Sequence, residues 1–349
     1  KKELECQQFS GRWALWGGFP PHAPPLFFYY ILIYKDAQNL ITQKGNPMKN
    51  QVTSQAFWES EWQSAIDRSG STPPGTDKAP KQTQMERWNK MAKDFAERTS
   101  KQKSVERRDK TLRLLGDRGI LKPDTWVLDI GAGPGAWTLP MARHCAHVTA
   151  LEPAGGMTDI IAARMKEEGV DNITIDQRTW QEVDLEQSRY KKAFHLVFAS
   201  MTPGIDGPET LKKMINASKG FCYMSGFSGP GMHQQFAPLW EKFFDTPMPQ
   251  KTWDIIYPFN LLYAMGFCPD LTFSWWNREI SWDRDHTIRH FVNFFESHME
   301  ITPEIRAIIA DYVDTRCPNG EYRPEKSVCR GTMIWSVHKD GPKGESDGV

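Results

Sequence analysis

An aspartate two residues ahead of three closely spaced glycines is where residue type and spacing in this chain first suggest chemistry. Residues 127–137 read VLDIGAGPGAW, an apolar run that reaches Asp129 and then opens into Gly131, Gly133 and Gly135. Glycine lets a backbone approach a ligand closely, and a helix opening behind such a turn presents N–H groups to it. Taken literally, Gly131-x-Gly133-x-x-Ala136 satisfies the dinucleotide fingerprint, with Glu152 about twenty residues further on. The acid argues the other way. A carboxylate beside the turn would repel a pyrophosphate and would be poorly solvated at a strand end. It suits a ligand that brings a cation there. A nicotinamide dinucleotide stays as the competing reading.

S-adenosylmethionine is a ligand of the required kind, with an α-ammonium, a sulfonium and no phosphate. DIGAGPG at 129–135, followed by LEP at 151–153, resembles motifs I and II of the class I S-adenosylmethionine-dependent methyltransferases. The resemblance covers roughly residues 84–229, and the C-terminal third in outline. It implies a Rossmann-like α/β fold: a seven-stranded, mostly parallel sheet with helices on both faces, its last strand near 332–338 running antiparallel. It also implies S-adenosyl-L-methionine as cofactor. Asp129, Gly131, Ala132, Gly133, Gly135 and Trp137 then belong with the methionine part, and Glu152, next to Pro153, with both ribose hydroxyls. Met157 corresponds to the apolar residue on the adenine face, with helix core an equal reading. Where many relatives have an acid for the adenine amine, this chain has Arg178-Thr179-Trp180-Gln181. Thr179 and Trp180 are the candidates left there, Trp180 by stacking on the purine. Ala199, Met201 and Thr202, at the end of the fourth strand, are expected to reach the cofactor.

Methyl transfer from a sulfonium is an in-line displacement with a neutral leaving group, so catalysis can rest on proximity and orientation. A base matters only when the acceptor starts protonated. The chain has SMTPG at 200–204 instead of the [DNS]PP[YFW] run that marks amide and exocyclic-amine methylation. No Pro-Cys nucleophile stands in a matching place. The catalytic candidates are His233 and Asp206, with His195 and His290 behind them. Trp88, Thr202, His233 and Trp253 are the candidates for a substrate pocket. No metal site is expected.

The elements that must position these residues alternate. Apolar spacing predicts a helix over 54–69 with Phe57, Trp58 and Trp62 near one side, then a Ser/Thr/Pro/Gly linker over 70–81. Residues 84–100 carry the stripe Met85, Trp88, Met91, Ala92, Phe95, which suits core packing or a lid. A helix over 104–118 leads into a strand at 126–130. Helices at 136–145, 156–169 and 208–217 then alternate with strands at 147–151, 173–176, 193–200 and 220–226. That spacing argues for a parallel sheet covered on both faces. After Gly229 the pattern changes. Residues 230–282 hold Trp240, Trp253, Trp275, Trp276 and Trp282, which suit either the walls of a small-molecule pocket or an inserted helical cap. A strand at 271–276 and two helices within 284–315 follow.

The expected organisation is an extension over 1–47, a helical lid region over 48–118 and a cofactor-binding core over 119–229. A cap insertion with the final strands takes 230–338, and a disordered tail 339–349. Residues 1–47 lack clear periodicity and read as foreign to the folded protein, with a membrane-associating anchor as the sharper alternative. Their apolar run at 25–34 is short for a membrane helix of about twenty residues. Acidic and basic residues number 43 each, giving a formal net charge of zero. Duplex binding would show as a basic excess, so the expected partner is a small methyl acceptor, not nucleic acid and not a membrane. The six cysteines make no CxxC pair and no zinc spacing, which fits free thiols in the cytoplasm. Methylation of RNA or protein, or a non-catalytic cofactor-binding module, stay open as alternatives.

Overall fold

The computed structural model describes residues 54–70, 84–229, 234–248, 254–277, 282–296, 298–317, 320–323 and 327–339. His233, Trp253, the 1–47 extension and nearly all of the linker and tail therefore lie outside the described residues. Contacts divide the chain into residues 1–52 and 53–349, and the second unit holds every element below.

Three helices come first: α1 (Gln55–Gly70), α2 (Gln84–Ser100) and α3 (Gln102–Asp117). Then β1 (Trp126–Ile130), α4 (Thr138–Ala142), β2 (His147–Leu151), α5 (Gly155–Glu168), β3 (Ile173–Asp176), β4 (Phe194–Ser200), α6 (Pro208–Ala217) and β5 (Ser218–Ser228) alternate. A short 3-10 turn leads to α7 (Ala237–Phe244), α8 (Ile256–Ala264) and β6 (Asp270–Asn277). The chain closes with β7 (Trp282–Asp283), α9 (Arg284–Phe295), α10 (Pro303–Asp314), β8 (Glu321–Tyr322) and β9 (Ser327–Ser336). The seven-stranded sheet has the order β3-β2-β1-β4-β5-β9-β6. β1 to β5 pair parallel, and β9 runs antiparallel to both β5 and β6.

Strand alternation divides the core between the two faces. Leu128, Ile130, Val197, Ala199 and Met333 pack on one face with Trp62 of α1, Leu211 of α6 and Leu261 of α8. Val127, Leu196, Phe198, Tyr223 and Ile334 pack on the other with Leu115 of α3, Leu139 of α4 and Ile161 of α5. Apolar residues on both faces are why these strands read as continuous hydrophobic runs. Each such side chain, fully buried, contributes about 1.5–3 kcal/mol.

Two expectations change. The helix after the glycine turn is Thr138–Ala142, shorter than 136–145. Its carboxyl end is closed by Asn172, whose Nδ2 donates to the carbonyls of Ala142 at 2.8 Å and Cys145 at 3.0 Å. The aromatics after β5 mostly build a core of their own: Phe236 stacks on Phe294 at 3.8 Å, and Trp240, Phe291, Phe295 and Trp282 join them. Trp240 and Trp282 thus pack α7, α9 and α10 together and do not wall a ligand pocket.

Candidate functional site

A cavity of about 400 Å³ lies at the carboxyl ends of β1, β2 and β4, walled also by residues of α2, α3, α5 and β9. This is the edge at which open α/β sheets bind ligands. The glycine turn forms part of it, in a form the sequence did not suggest. Gly131 and Ala132 both donate their N–H to the Leu151 carbonyl, at 2.8 and 3.1 Å. Gly133 N donates to Glu152 Oε2 at 2.9 Å, and Gly135 N to the Ala132 carbonyl at 3.1 Å. The N–H groups of these four turn residues are therefore used by the protein itself. A diphosphate would find those donors taken.

Gly131 has φ +71°, and a β-carbon built there would lie 2.0 Å from Thr202 Oγ1. The glycine is needed because β4 brings Thr202 against the turn. Gly135, at φ +76°, meets Leu139 and Ile161 in the same way and does not line the cavity.

Asp129 does not stand where the sequence placed it. Its side chain is 2% exposed and is absent from the cavity wall. It points to the α4 side of the sheet, where Oδ2 accepts from Thr138 Oγ1 at 2.6 Å. Burial pushes its carboxyl up to about 7; the Thr138 bond opposes that and the nearby Glu152 charge adds to it. Ala199, expected at the cofactor, is likewise buried in the core without reaching the cavity.

Glu152, 7% exposed, does line the cavity. Besides Gly133, it accepts from Ala154 N on Oε1 at 2.9 Å. Burial raises its carboxyl, and these two backbone bonds oppose the rise. Pro153, Met157, Thr179 and Trp180 wall the same region. Met157 also packs with Ala92 of α2, so both of its sequence readings describe its place. Trp180 is 2% exposed and its Nε1 donates to the Thr210 carbonyl at 3.0 Å, which fixes the indole plane. Neighbouring Arg178 makes a two-pronged pair with Asp176, at 2.8 and 2.6 Å.

Trp137, Met201, Thr202, Trp88 and Asp206 complete the expected residues on the wall, and α2 adds Met85, Phe95 and Thr99. Two arginines were missed. Arg107 lies on α3, and Arg330, 5% exposed, comes from the antiparallel strand β9. Burial depresses the Arg330 guanidinium from its ordinary value. Nothing in the local sequence marks it, because β9 joins the sheet from nearly two hundred residues after Gly131, an offset no motif reads. His195 is excluded from the site. Its Nδ1 accepts from Trp126 N at 2.9 Å, at the amino end of β1, opposite the cavity. His290 sits in the aromatic core of the insertion, 4.6 Å from the Trp282 ring.

Residues 127–219 match the family model described as a methyltransferase domain. This segment resembles methyltransferase domains. An uncharacterised protein of Haemophilus influenzae is 35% identical over 60 residues, 17% of this chain and 22% of that protein's own length. A SAM-dependent methyltransferase of Aquifex aeolicus is similar over 74% of this chain and 100% of its own, at 12% identity and TM-score 0.41. The YcgJ protein of Bacillus subtilis is similar over 65% of this chain and 97% of its own, at 15% identity and TM-score 0.43.

The matched segment supplies the glycine turn, Glu152, Met157, Trp180 and Thr202. Trp88, Phe95, Arg107 and Arg330 come from outside it. No group of three or more metal-ligating side chains occurs among the described residues, and no helix there is long and apolar enough to cross a membrane.

Proposed function

We propose that the chain is an S-adenosylmethionine-dependent methyltransferase acting on an oxygen, nitrogen or sulfur atom of a small molecule. The observation that carries this reading is Glu152, a buried carboxylate on the cavity wall whose two oxygens are each already oriented by a backbone amide. A carboxylate has about four lone-pair positions, so each oxygen keeps capacity for one ribose hydroxyl. Pro153, Met157 and Trp180 would flank the adenosine, and Gly131, Ala132, Gly133 and Trp137 the methionine part. Asp129 would act at one remove, holding the α4 start through Thr138.

The bound cofactor would supply a methyl carbon on a sulfonium, with a neutral thioether as leaving group. The chain's own contribution is to orient the partners and exclude water. Trp88 and Phe95 of α2 stand edge to face at 5.9 Å and form an apolar wall of the cavity. Asp206, exposed and on the wall, is placed to accept a proton from an acceptor that arrives protonated. Zero net charge and a partly enclosed site favour a small acceptor over a polymer. The free thiols among the described residues support a reducing, cytoplasmic setting.

Calorimetry with S-adenosylhomocysteine tests the reading. A dissociation constant in roughly the micromolar range is expected, weakened at least tenfold in Glu152→Ala. No binding to the wild-type protein, with its melting transition intact, would sink it.

A further inference from the structure

A second recess of about 40 Å³ adjoins the large cavity and shares Met201, Thr202 and Asp206 with it. Its remaining walls include Trp62 of α1, Ser225 and Phe227 at the end of β5, and Asp254 just ahead of α8. A single water needs about 10–15 Å³ of such space, so the recess takes a group of a few non-hydrogen atoms. The recess lies beside the end of β4 and shares a wall with the space proposed for the cofactor.

The lining is one-sided in charge. Among the described residues, Asp206 and Asp254 are the ionisable groups on its wall, with no lysine, arginine or histidine beside them there. Asp254 accepts from Ser228 Oγ at 3.2 Å, Gly229 N at 3.0 Å and Ile256 N at 3.1 Å, which holds its carboxylate in place. Burial raises its carboxyl, and those three hydrogen bonds oppose the rise. Asp206 accepts from Thr210 Oγ1 at 3.0 Å and Gln181 Nε2 at 2.8 Å, leaving lone pairs on both oxygens. Trp62, 3% exposed, adds an aromatic wall of the kind that attracts ammonium groups. A carboxylate or phosphate would be repelled here, and an alcohol would gain little from two acids.

We infer that the recess receives a small alkylammonium group, so that the acceptor is an amine methylated on nitrogen. This rests on the methyltransferase reading above and specifies its substrate class. The ammonium gives its proton to the exposed Asp206 carboxylate, which passes it to solvent. The freed nitrogen lone pair forms the N–C bond to the methyl carbon, and the C–S bonding pair leaves on sulfur as a neutral thioether. The product is an N-methylammonium, whose charge the same two acids meet.

The test is ligand-observed NMR titration of the full chain saturated with S-adenosylhomocysteine, using ethylammonium, ethanol and acetate as probes of similar size. Ethylammonium is expected to bind at least tenfold tighter than ethanol, and acetate not to saturate. Asp254→Asn keeps an oxygen for the start of α8, and Asp206→Asn lies clear of it. Each is expected to weaken ethylammonium roughly tenfold, and Asp254→Asn, at a residue that does not line the larger cavity, to leave S-adenosylhomocysteine affinity within about twofold. Equal binding of ethylammonium and ethanol, saturable binding of acetate, or unchanged ethylammonium affinity in both variants overturns the inference and leaves the cofactor reading standing. Failure of S-adenosylhomocysteine to bind at the outset overturns both.

Discussion

Asp129 and Thr138, nine residues apart, are joined by a 2.6 Å hydrogen bond beneath the glycine turn. The bond ties the end of β1 to the first residue of α4 and so fixes both ends of the turn between them. It also holds an acid where water does not reach it. An unfolded aspartate titrates near 3.9, and this one near 7 when folded. Between roughly pH 4 and 7 the native state therefore binds a proton that the unfolded state does not, and stability falls as pH rises through that window. Asp129→Asn is expected to flatten this slope and to raise stability above pH 7 by a few kcal/mol, with little gain near pH 4. Urea unfolding at several pH values checks it, and a parallel pH profile for variant and wild type would count against the buried, neutralised acid.

The turn tolerates no side chain at Gly131, since Thr202 occupies the space and φ is positive. Gly131→Ala is expected to cost about 1–3 kcal/mol and to abolish S-adenosylhomocysteine binding. Adding Thr202→Gly removes the clash and leaves the backbone strain, so partial recovery of the melting temperature is expected in the double variant. Full recovery would show that sterics alone fixed the glycine.

Trp180 joins a structural role to its place on the cavity wall. Trp180→Phe removes the bond from Nε1 to the Thr210 carbonyl, a loss of about 0.5–1.5 kcal/mol with some cavity cost added. A phenyl ring still offers a face to a purine, so S-adenosylhomocysteine should bind within about fivefold of wild type. Trp180→Ala should lose far more in both respects. Equal affinities across the three proteins, measured by calorimetry, would remove Trp180 from the ligand and leave it as core.

Local pattern and distant pairing explain what could be read in advance. The strands at 126–130 and 147–151 were legible because burial on both faces imposes apolar runs, and the edge strand at 173–176 because Ile173 and Ile175 alternate with Thr174 and Asp176. The places of the glycine turn and Glu152 on the cavity wall were legible because both are local or set at a fixed offset. Asp129 misled, since an acid at a strand end can face a ligand or a neighbouring helix, and only the direction of its side chain decides. For Asp129 it was Thr138 that decided. Arg330 and Asp254 were invisible because their partners at the site are brought together by strand order, which spacing does not encode. The tryptophans of the insertion were ambiguous for a related reason: Trp240 and Trp282 would look the same in a ligand pocket as in the core where they pack.

Helix α2 packs on α5 through Ala92 and Met157 and is also tied to it by a side-chain bond from Asn89. Asn89 Oδ1 accepts from Gly156 N at 2.8 Å, satisfying one of the orphan donors in the first turn of α5. The same helix places Met85, Trp88 and Phe95 on the cavity wall. Asn89→Ala removes the tether without weakening the helix itself, because alanine has the higher helical propensity. If ligand exchange requires α2 to lift, S-adenosylhomocysteine should dissociate about two- to tenfold faster in the variant, in proportion to the lost bond. Its association rate and the melting temperature should hardly change, since the interaction lies at the edge of the core. Stopped-flow displacement measures this directly. An unchanged dissociation rate would mean that α2 stays seated while ligands come and go through another face of the cavity.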